Sequence, residues 1–460
     1  MSSPCHPAQG KTARRTRHGC FDEVVDELIR HPLAYARWLH GWSQTELARR
    51  VKEAARRRDR RAGTSRQRVS LWETSVTPDE FSQDLLADVF GVPHDRVTAL
   101  GWPHWLPGQE TPAPLGTGLT VTVLRKAAQM AVDRRTFLTY TPAALSALAL
   151  QWATIDPALA AGATNGRPVD PAFVDWLEKT ARDLNSLPTA HRQYTGALLD
   201  GHLTTVVDLL EHGSYSSNLE TRLHALAAGL SQTIGWHRFD HEHHAAANRH
   251  WHAAVHAAHQ AGDTDMGAGA LSDIAYQNIW LGQPRAAAEG LEHALSRTTN
   301  PTARSLLFLR KARAHAMLQE SRACYRDLAQ AEKFLNSATD AAPRWCAWMS
   351  PADLAVDTGR CLIDLRQPQH AHDQISQGLA LLPQARDKTK AVFLAYEAES
   401  LLAQGDVAQA AELARDSLSL AQRIGASRCV QQIRDLSTTF DPLSSDHSVE
   451  RLLHDVALAH

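Results

Sequence analysis

One pattern recurs along the last two-thirds of the chain and leaves little freedom of fold. Five short polar turns interrupt Ala- and Leu-rich sequence of helical period. They are Phe239-Asp240-His241-Glu242-His243-His244-Ala245, Leu281-Gly282-Gln283-Pro284-Arg285-Ala286-Ala287, Leu318-Gln319-Glu320-Ser321-Arg322-Ala323, Leu365-Arg366-Gln367-Pro368-Gln369-His370-Ala371 and Leu402-Ala403-Gln404-Gly405-Asp406-Val407-Ala408-Gln409-Ala410. Their spacing is about 37 to 47 residues. Each turn joins an apolar helix to a second helix with small Ala residues at its crossing points. Such a hairpin cannot bury its own apolar face, so successive hairpins must stack. No alternating, strand-like runs break the pattern. The expectation is an all-α chain whose residues 170–460 form a stacked repeat, their apolar side chains serving as core.

At 460 residues the chain has room for about two to four domains and needs no covalent staple. Its six cysteines, Cys5, Cys20, Cys324, Cys346, Cys361 and Cys429, form no CxxC pair. Free thiols in a reducing compartment are expected. Residues 1–20 carry charge without an apolar run, so no signal peptide is read there, and no apolar stretch is long enough to span a membrane. Asp133-Arg134-Arg135-Thr136-Phe137-Leu138 resembles a twin-arginine export signal. It lies too far into the chain to be read as one, and a short connector helix is expected instead.

The formal net charge of −2 conceals an imbalance. Between Arg37 and Glu73 eleven basic residues face four acidic ones, so this window carries +7 and the remainder −9. A charge run is commonly only a solvated face. This one coincides with a helical motif, which raises the nucleic-acid reading. Lys11, Arg14, Arg15 and Arg17 add a basic run in the tail.

Around that window the residues read as helices. Pro32 suits a first helical turn, and Leu33, Ala36 and Leu39 follow near helical spacing before Gly41. Ser43 with Glu46 makes a capping box for a second helix, Gln44 to about Lys52, which buries Leu47, Ala48 and Val51. An Arg-rich insertion, Glu53 to Ala62, leads to Gly63-Thr64-Ser65 and a third helix, Arg66 to about Thr74, that buries Val69 and Trp72. A fourth, about Glu80 to Phe90, buries Phe81, Leu85, Leu86 and Val89 and stops at Gly91.

Leu39-His40-Gly41-Trp42-Ser43-Gln44-Thr45-Glu46-Leu47-Ala48, Ser65-Arg66-Gln67-Arg68-Val69-Ser70-Leu71-Trp72-Glu73 and Leu86-Ala87-Asp88-Val89-Phe90-Gly91-Val92 together resemble the Xre family of helix-turn-helix proteins, of lambda-repressor-like fold. The family's tight turn between its second and third helices is expanded here by the insertion. The resemblance implies a four- or five-helix domain whose third helix enters the major groove of DNA. With Val69 and Trp72 turned inward, Arg66, Gln67 and Ser70 are the expected base readers. Gln44, Arg49, Arg50, Arg56, Arg57, Arg58, Arg60, Arg61 and Arg68 are the expected phosphate contacts.

Gly101-Trp102-Pro103-His104-Trp105-Leu106-Pro107 follows, and its tryptophans are expected to pack the end of this domain rather than stack on a base. The expected organisation is a basic tail over 1–20, an Xre-like domain over 21–106, linker and connector helices over 107–169 and a TPR-like solenoid over 170–460. Ala257-Ala258-His259-Gln260-Ala261-Gly262-Asp263 and Leu271-Ser272-Asp273-Ile274-Ala275-Tyr276-Gln277 extend the likeness to large actinobacterial transcriptional regulators of Xre type with TPR-like repeats. That likeness implies a cytoplasmic, nucleoid-associated, homodimeric regulator that binds double-stranded DNA, does not enter membranes, and senses a peptide, small molecule or partner protein through its repeats. The alternative is a TPR-like protein-interaction scaffold with a vestigial helix-turn-helix.

Eight histidines lie between His237 and His259: His237, His241, His243, His244, His250, His252, His256 and His259. His237, His241 and His244 fall at i, i+4 and i+7, a spacing that can hold zinc, but Ala245 stands where a HExxH motif needs its second ligand. A polar or pH-sensitive repeat surface is expected, with a metal-binding sensor as the lesser reading. No P-loop, dinucleotide or G-x-S-x-G motif occurs, so no enzyme, resident metal or cofactor is expected.

Overall fold

The computed structural model describes residues 32–39, 42–74, 76–92, 94, 97, 102, 105–106, 112–116, 118–129, 142–156, 162–187, 191, 194–338 and 342–459. Within them the chain is all-α except for one parallel pair of two-residue strands, Arg167–Pro168 (β1) and Gly213–Ser214 (β2). The chain separates into two compact units, Met1–Gln109 and Glu110–His460. The basic tail, Gly41 and the Asp133–Leu138 segment lie outside the described residues.

The first unit holds α1 (Pro32–Leu39), α2 (Gln44–Arg57), α3 (Arg66–Trp72) and α4 (Glu80–Phe90). Ser43, Ser65 and Asp79 cap α2, α3 and α4 by accepting from the backbone N–H groups of Glu46, Arg68 and Ser82. Gly91 closes α4 at φ 66°, a conformation that costs glycine nothing. Leu33, Leu47, Val51, Val69, Trp72, Leu85 and Leu86 form one core. Each large side chain buried there contributes about 1.5–3 kcal/mol. Trp105 enters the same core, meets Trp102 edge-on at 5.8 Å and donates its indole N–H to Gln83 at 3.3 Å.

Two boundaries differ from the sequence reading. Helix α2 continues to Arg57 because Ala54 and Ala55 prolong its buried stripe, so half of the supposed insertion is helix. The connection to α3 is then Arg58–Ser65, with Asp59 at φ 52°. Helix α3 ends at Trp72 rather than Thr74.

The second unit opens with α5 (Thr120–Gln129), α6 (Pro142–Thr154), α7 (Pro171–Ser186) and α8 (Gly196–His212). Residues expected as linker and connector bury Leu115, Leu124 and Trp152 in its main core. Five hairpins follow. They pair α9 (Ser217–Asp240) with α10 (His244–Ala261), α11 (Thr264–Trp280) with α12 (Pro284–Leu295), and α13 (Pro301–Met317) with α14 (Ser321–Asn336). They continue with α15 (Pro351–Asp364) and α16 (Pro368–Leu381), then α17 (Asp387–Gln404) and α18 (Val407–Arg423). Helices α19 (Ser427–Ser437) and α20 (His447–Leu458) pack on α18. This is the stacked, TPR-like architecture that the turn spacing demands.

The five turns share one device. Glu242, Gly282, Gln319, Arg366 and Gly405 each take a left-handed backbone conformation one or two residues after a helix ends. Only two of the five are glycine, so Glu242, Gln319 and Arg366 each accept roughly 1 kcal/mol of strain. The first helices of successive hairpins touch one another in order, and α19 returns to touch α9. Helices α9, α11, α13, α15, α17 and α19 therefore close into a ring.

Candidate functional site

The basic face of the first unit is built on α2, α3 and their connection. Ser65 holds the N-terminus of α3 open to solvent, and Arg66, Gln67 and Arg68 stand exposed on its first turn, with Ser70 half-buried behind them. Val69 and Trp72 point inward, as helical spacing requires. Arg56, Arg57 and Arg61 are exposed on the end of α2 and the connection. None of Arg56, Arg57, Arg61, Arg66 and Arg68 has an ion-pair partner among the described residues.

The other sequence-predicted contacts are committed internally. Arg49 pairs with Glu46 at 2.6 Å and also with Glu53. Arg50 pairs with Glu46 at 3.0 Å and lies 4.1 Å over the Trp42 ring. Glu46 thus completes only half of its capping box. Its carboxylate turns to the arginines, and the hydrogen bond from Arg49 draws its pKa down to about 2. Arg58 pairs with Asp88 at 2.6 Å, and Arg60 covers the Phe81 ring at 4.5 Å. Burial works against the ionised Asp88, but hydrogen bonds from Arg58 and His94 outweigh it and hold this carboxyl below the usual range. Gln44 donates to Glu73 at 2.7 Å, and Arg37 reaches the same carboxylate at 2.7 Å. The side chain of Gln44 is thereby part of a tie between α1, α2 and α3. The charge count along the sequence tallies Glu46, Glu53 and Glu73 but does not show which arginines they neutralise, and Asp88 lies outside the window altogether.

The second half of the histidine run is interior rather than the polar surface that the sequence suggested, whereas His243 is exposed and His237, His241 and His244 are half-buried. His250, His252, His256 and His259 are all buried, since α10 packs between neighbours on more than one side. Burial pushes the imidazole pKa of His250 down to about 3 and of His256 to about 4, and lowers His252 and His259 as well. His256 Nε2 meets the Ala113 carbonyl at 2.9 Å and His259 Nε2 the Ile155 carbonyl at 3.2 Å. His237 and His241 stack at 4.6 Å, but α9 ends at Asp240, so the helical face they were to share with His244 is broken. Among the described residues no group of three His, Cys, Asp or Glu is placed to hold a metal. The described cysteines, Cys324, Cys346, Cys361 and Cys429, are buried and free.

A polar interior that sequence reading missed lies inside the helix ring. Counted back from the left-handed turn residue, the same two positions recur in every first helix. Nine back stand Thr233, Asp273, Arg310, Asp357 and Tyr396, and six back stand Trp236, Tyr276, Arg313, Arg360 and Glu399. Thr233 back-bonds to the Gly229 carbonyl, while the others contact one another from helix to helix. Arg310 binds Asp273 at 2.8 Å and Ser272 at 2.7 Å, and Asp273 also accepts from Gln232 and Trp236. Arg313 lies 5.6 Å from both the Tyr276 and Tyr396 rings. Arg360 pairs with Asp364 at 2.7 Å and with Glu399. From α19, Arg428 sits 5.0 Å over both Phe239 and Trp280. Aligning the five turns would have exposed this ladder, because charged and aromatic residues occupy positions that a plain repeat fills with aliphatics.

No helix among the described residues is long and apolar enough to cross a membrane. A family model described as the SP15 N-terminal domain matches residues 36–103, which span α2, α3 and α4 with part of α1 and reach Trp102 but not Trp105. It does not carry the Xre assignment. A search of curated proteins finds no match. Among solved structures, the crystal structure of the APC/C hetero-tetramer Cut9–Hcn1 is similar over 90% of this chain and 92% of its own, at 13% identity and a TM-score of 0.28. At that score the repeat architecture rests on the hairpins themselves.

Proposed function

We propose that this chain is a helical-repeat interaction protein that docks on duplex DNA through the α3 face of its first unit. The observation that carries the reading is the exposed set Arg56, Arg57, Arg61, Arg66 and Arg68, without internal ion pairs, around an exposed Gln67. Arg66 and Gln67 read bases, the remaining arginines hold phosphates, and the repeats receive the protein or effector that the DNA-bound chain responds to. On this reading the chain is a transcriptional regulator without catalytic activity, and a two-fold homodimer would match inverted half-sites.

The scaffold reading has its own support. Arg49, Arg50, Arg58 and Gln44 are spent on internal partners, and α3 has only seven residues. Titration of the full-length chain with labelled duplex DNA over a range of salt separates the two. Each phosphate contact contributes about −0.9 to the slope of log K against log salt, so the four arginines assigned to phosphates give about −3.6 per protomer. Arg57→Gln with Arg61→Gln flattens that slope by about 2 for all sequences, whereas Arg66→Ala with Gln67→Ala relaxes sequence preference. Absence of binding even at low salt leaves the scaffold.

A further inference from the structure

We propose that the closed helix ring binds a small oxyanion, a carboxylate- or phosphate-bearing molecule, between Arg313 and Arg428. The inference is independent of DNA binding. Both guanidinium groups are buried, at 6% and 4% exposure, and both are under-satisfied. Arg313 makes only long contacts, 3.4 Å to Asp357 and 3.3 Å to the Tyr396 hydroxyl, and its Nε has no hydrogen-bond partner. Arg428 reaches Asp240 at 3.4 Å, and its Nη1 has no partner. Their neighbours Arg310 and Arg360 each hold a carboxylate at close range within the same ring, Asp273 at 2.8 Å and Asp364 at 2.7 Å, and neither has an unpartnered buried nitrogen of the kind found on Arg313 and Arg428.

The two unsatisfied groups share an environment. Arg313 is flanked by the Tyr276 and Tyr396 rings, and Arg428 interacts with the same two tyrosines from α19. A buried donor of a charged group without an acceptor is costly, and a guanidinium fork matches the paired oxygens of carboxylate or phosphate. An anion placed here strands no acid. Asp240 retains Lys388, and Asp357 retains the fields of Arg310 and Arg360. With Arg313, Arg428 and Tyr396 this deeply buried within the ring, a small molecule fits the site better than an extended polypeptide.

Calorimetric titration of the untagged full-length chain with inorganic phosphate and, separately, with succinate at matched ionic strength tests the proposal and tells the two anion classes apart. One probe is expected to bind with a Kd below about 10 mM and to weaken at least about tenfold in Arg313→Lys and in Arg428→Lys, which keep the charge and lose the fork. Thermal melts establish that each variant is folded; if Arg428→Lys is not, because it loosens α19, Arg313→Lys alone decides. No binding of either probe below about 10 mM, or a folded variant that binds like the parent, overturns the site.

Discussion

Replacing Arg310 with methionine isolates the energetics of the ring interior. Asp273 is 2% exposed and Arg310 3%. One carboxylate oxygen of Asp273 takes the Arg310 guanidinium at 2.8 Å, and the other takes Gln232 at 2.6 Å and Trp236 at 2.9 Å. Methionine keeps much of the arginine stem's packing but leaves the carboxylate with neutral donors only. Breaking a buried pair in this way costs about 3–5 kcal/mol. Adding Asp273→Asn removes the stranded charge, and most of that loss should return, leaving about 1 kcal/mol for imperfect hydrogen bonds.

The penalty also has a pH signature. Burial raises the Asp273 pKa and Arg310 opposes the rise. Without Arg310 the pKa climbs further. An acid whose folded pKa lies above its unfolded value binds more protons in the native state. Its contribution to stability is therefore lost as pH rises through that window and regained on acidification, at about 1.4 kcal/mol for each tenfold difference in proton affinity between the folded and unfolded chain. Urea unfolding followed by circular dichroism at pH 7.5 and 5.5, read as the difference between Arg310→Met and the parent, should show a larger penalty at pH 7.5. A penalty below about 1 kcal/mol, one equal at both pH values, or one left unrepaired by Asp273→Asn would refute the reasoning.

Two further outcomes follow from packing. Burial lowers His224, His250 and His256 to about 4, 3 and 4. A base with a depressed folded pKa stabilises above its unfolded value and loses that contribution as pH falls below about 6.5, so a group near 4 costs about 2 kcal/mol at pH 5. The melting temperature should fall steeply from pH 6.5 toward 5, and His256→Gln, which can still donate to the Ala113 carbonyl, should lessen the fall; a flat profile contradicts neutral burial. Gly267 lets α6 approach α11, since a Cβ there would stand 1.9 Å from the Trp152 ring. Gly267→Ala should destabilise by about 1–3 kcal/mol in denaturant titration, and an unchanged midpoint would show that Trp152 can turn aside without cost.

Secondary structure and repeat order were legible in the chain because both are local. Ser43, Ser65, Asp79 and Gly91 punctuate helices with their own backbone neighbours, and the five turns recur in register with the stacked hairpins. The candidate DNA face was only partly legible. Helical spacing correctly sent Val69 inward and left Arg66 and Gln67 outside. It could not show that Arg58 would spend its charge on Asp88, thirty residues away on another helix. The histidine run misled for the same reason: polar side chains suggest a surface until the neighbours that bury His250, His252, His256 and His259 on α10 are placed.

Sequence by itself determined that this protein is helical, where its hairpins turn, and that one small window is strongly basic. Those properties depend on residues a few positions apart, within reach of one turn of helix. Only tertiary structure decided which arginines remain free, that α19 closes a ring with α9, and that Arg313 and Arg428 share one interior. Such outcomes depend on side chains separated by tens to nearly two hundred residues, whose charges cancel, stack or lie unsatisfied only after the helices have packed.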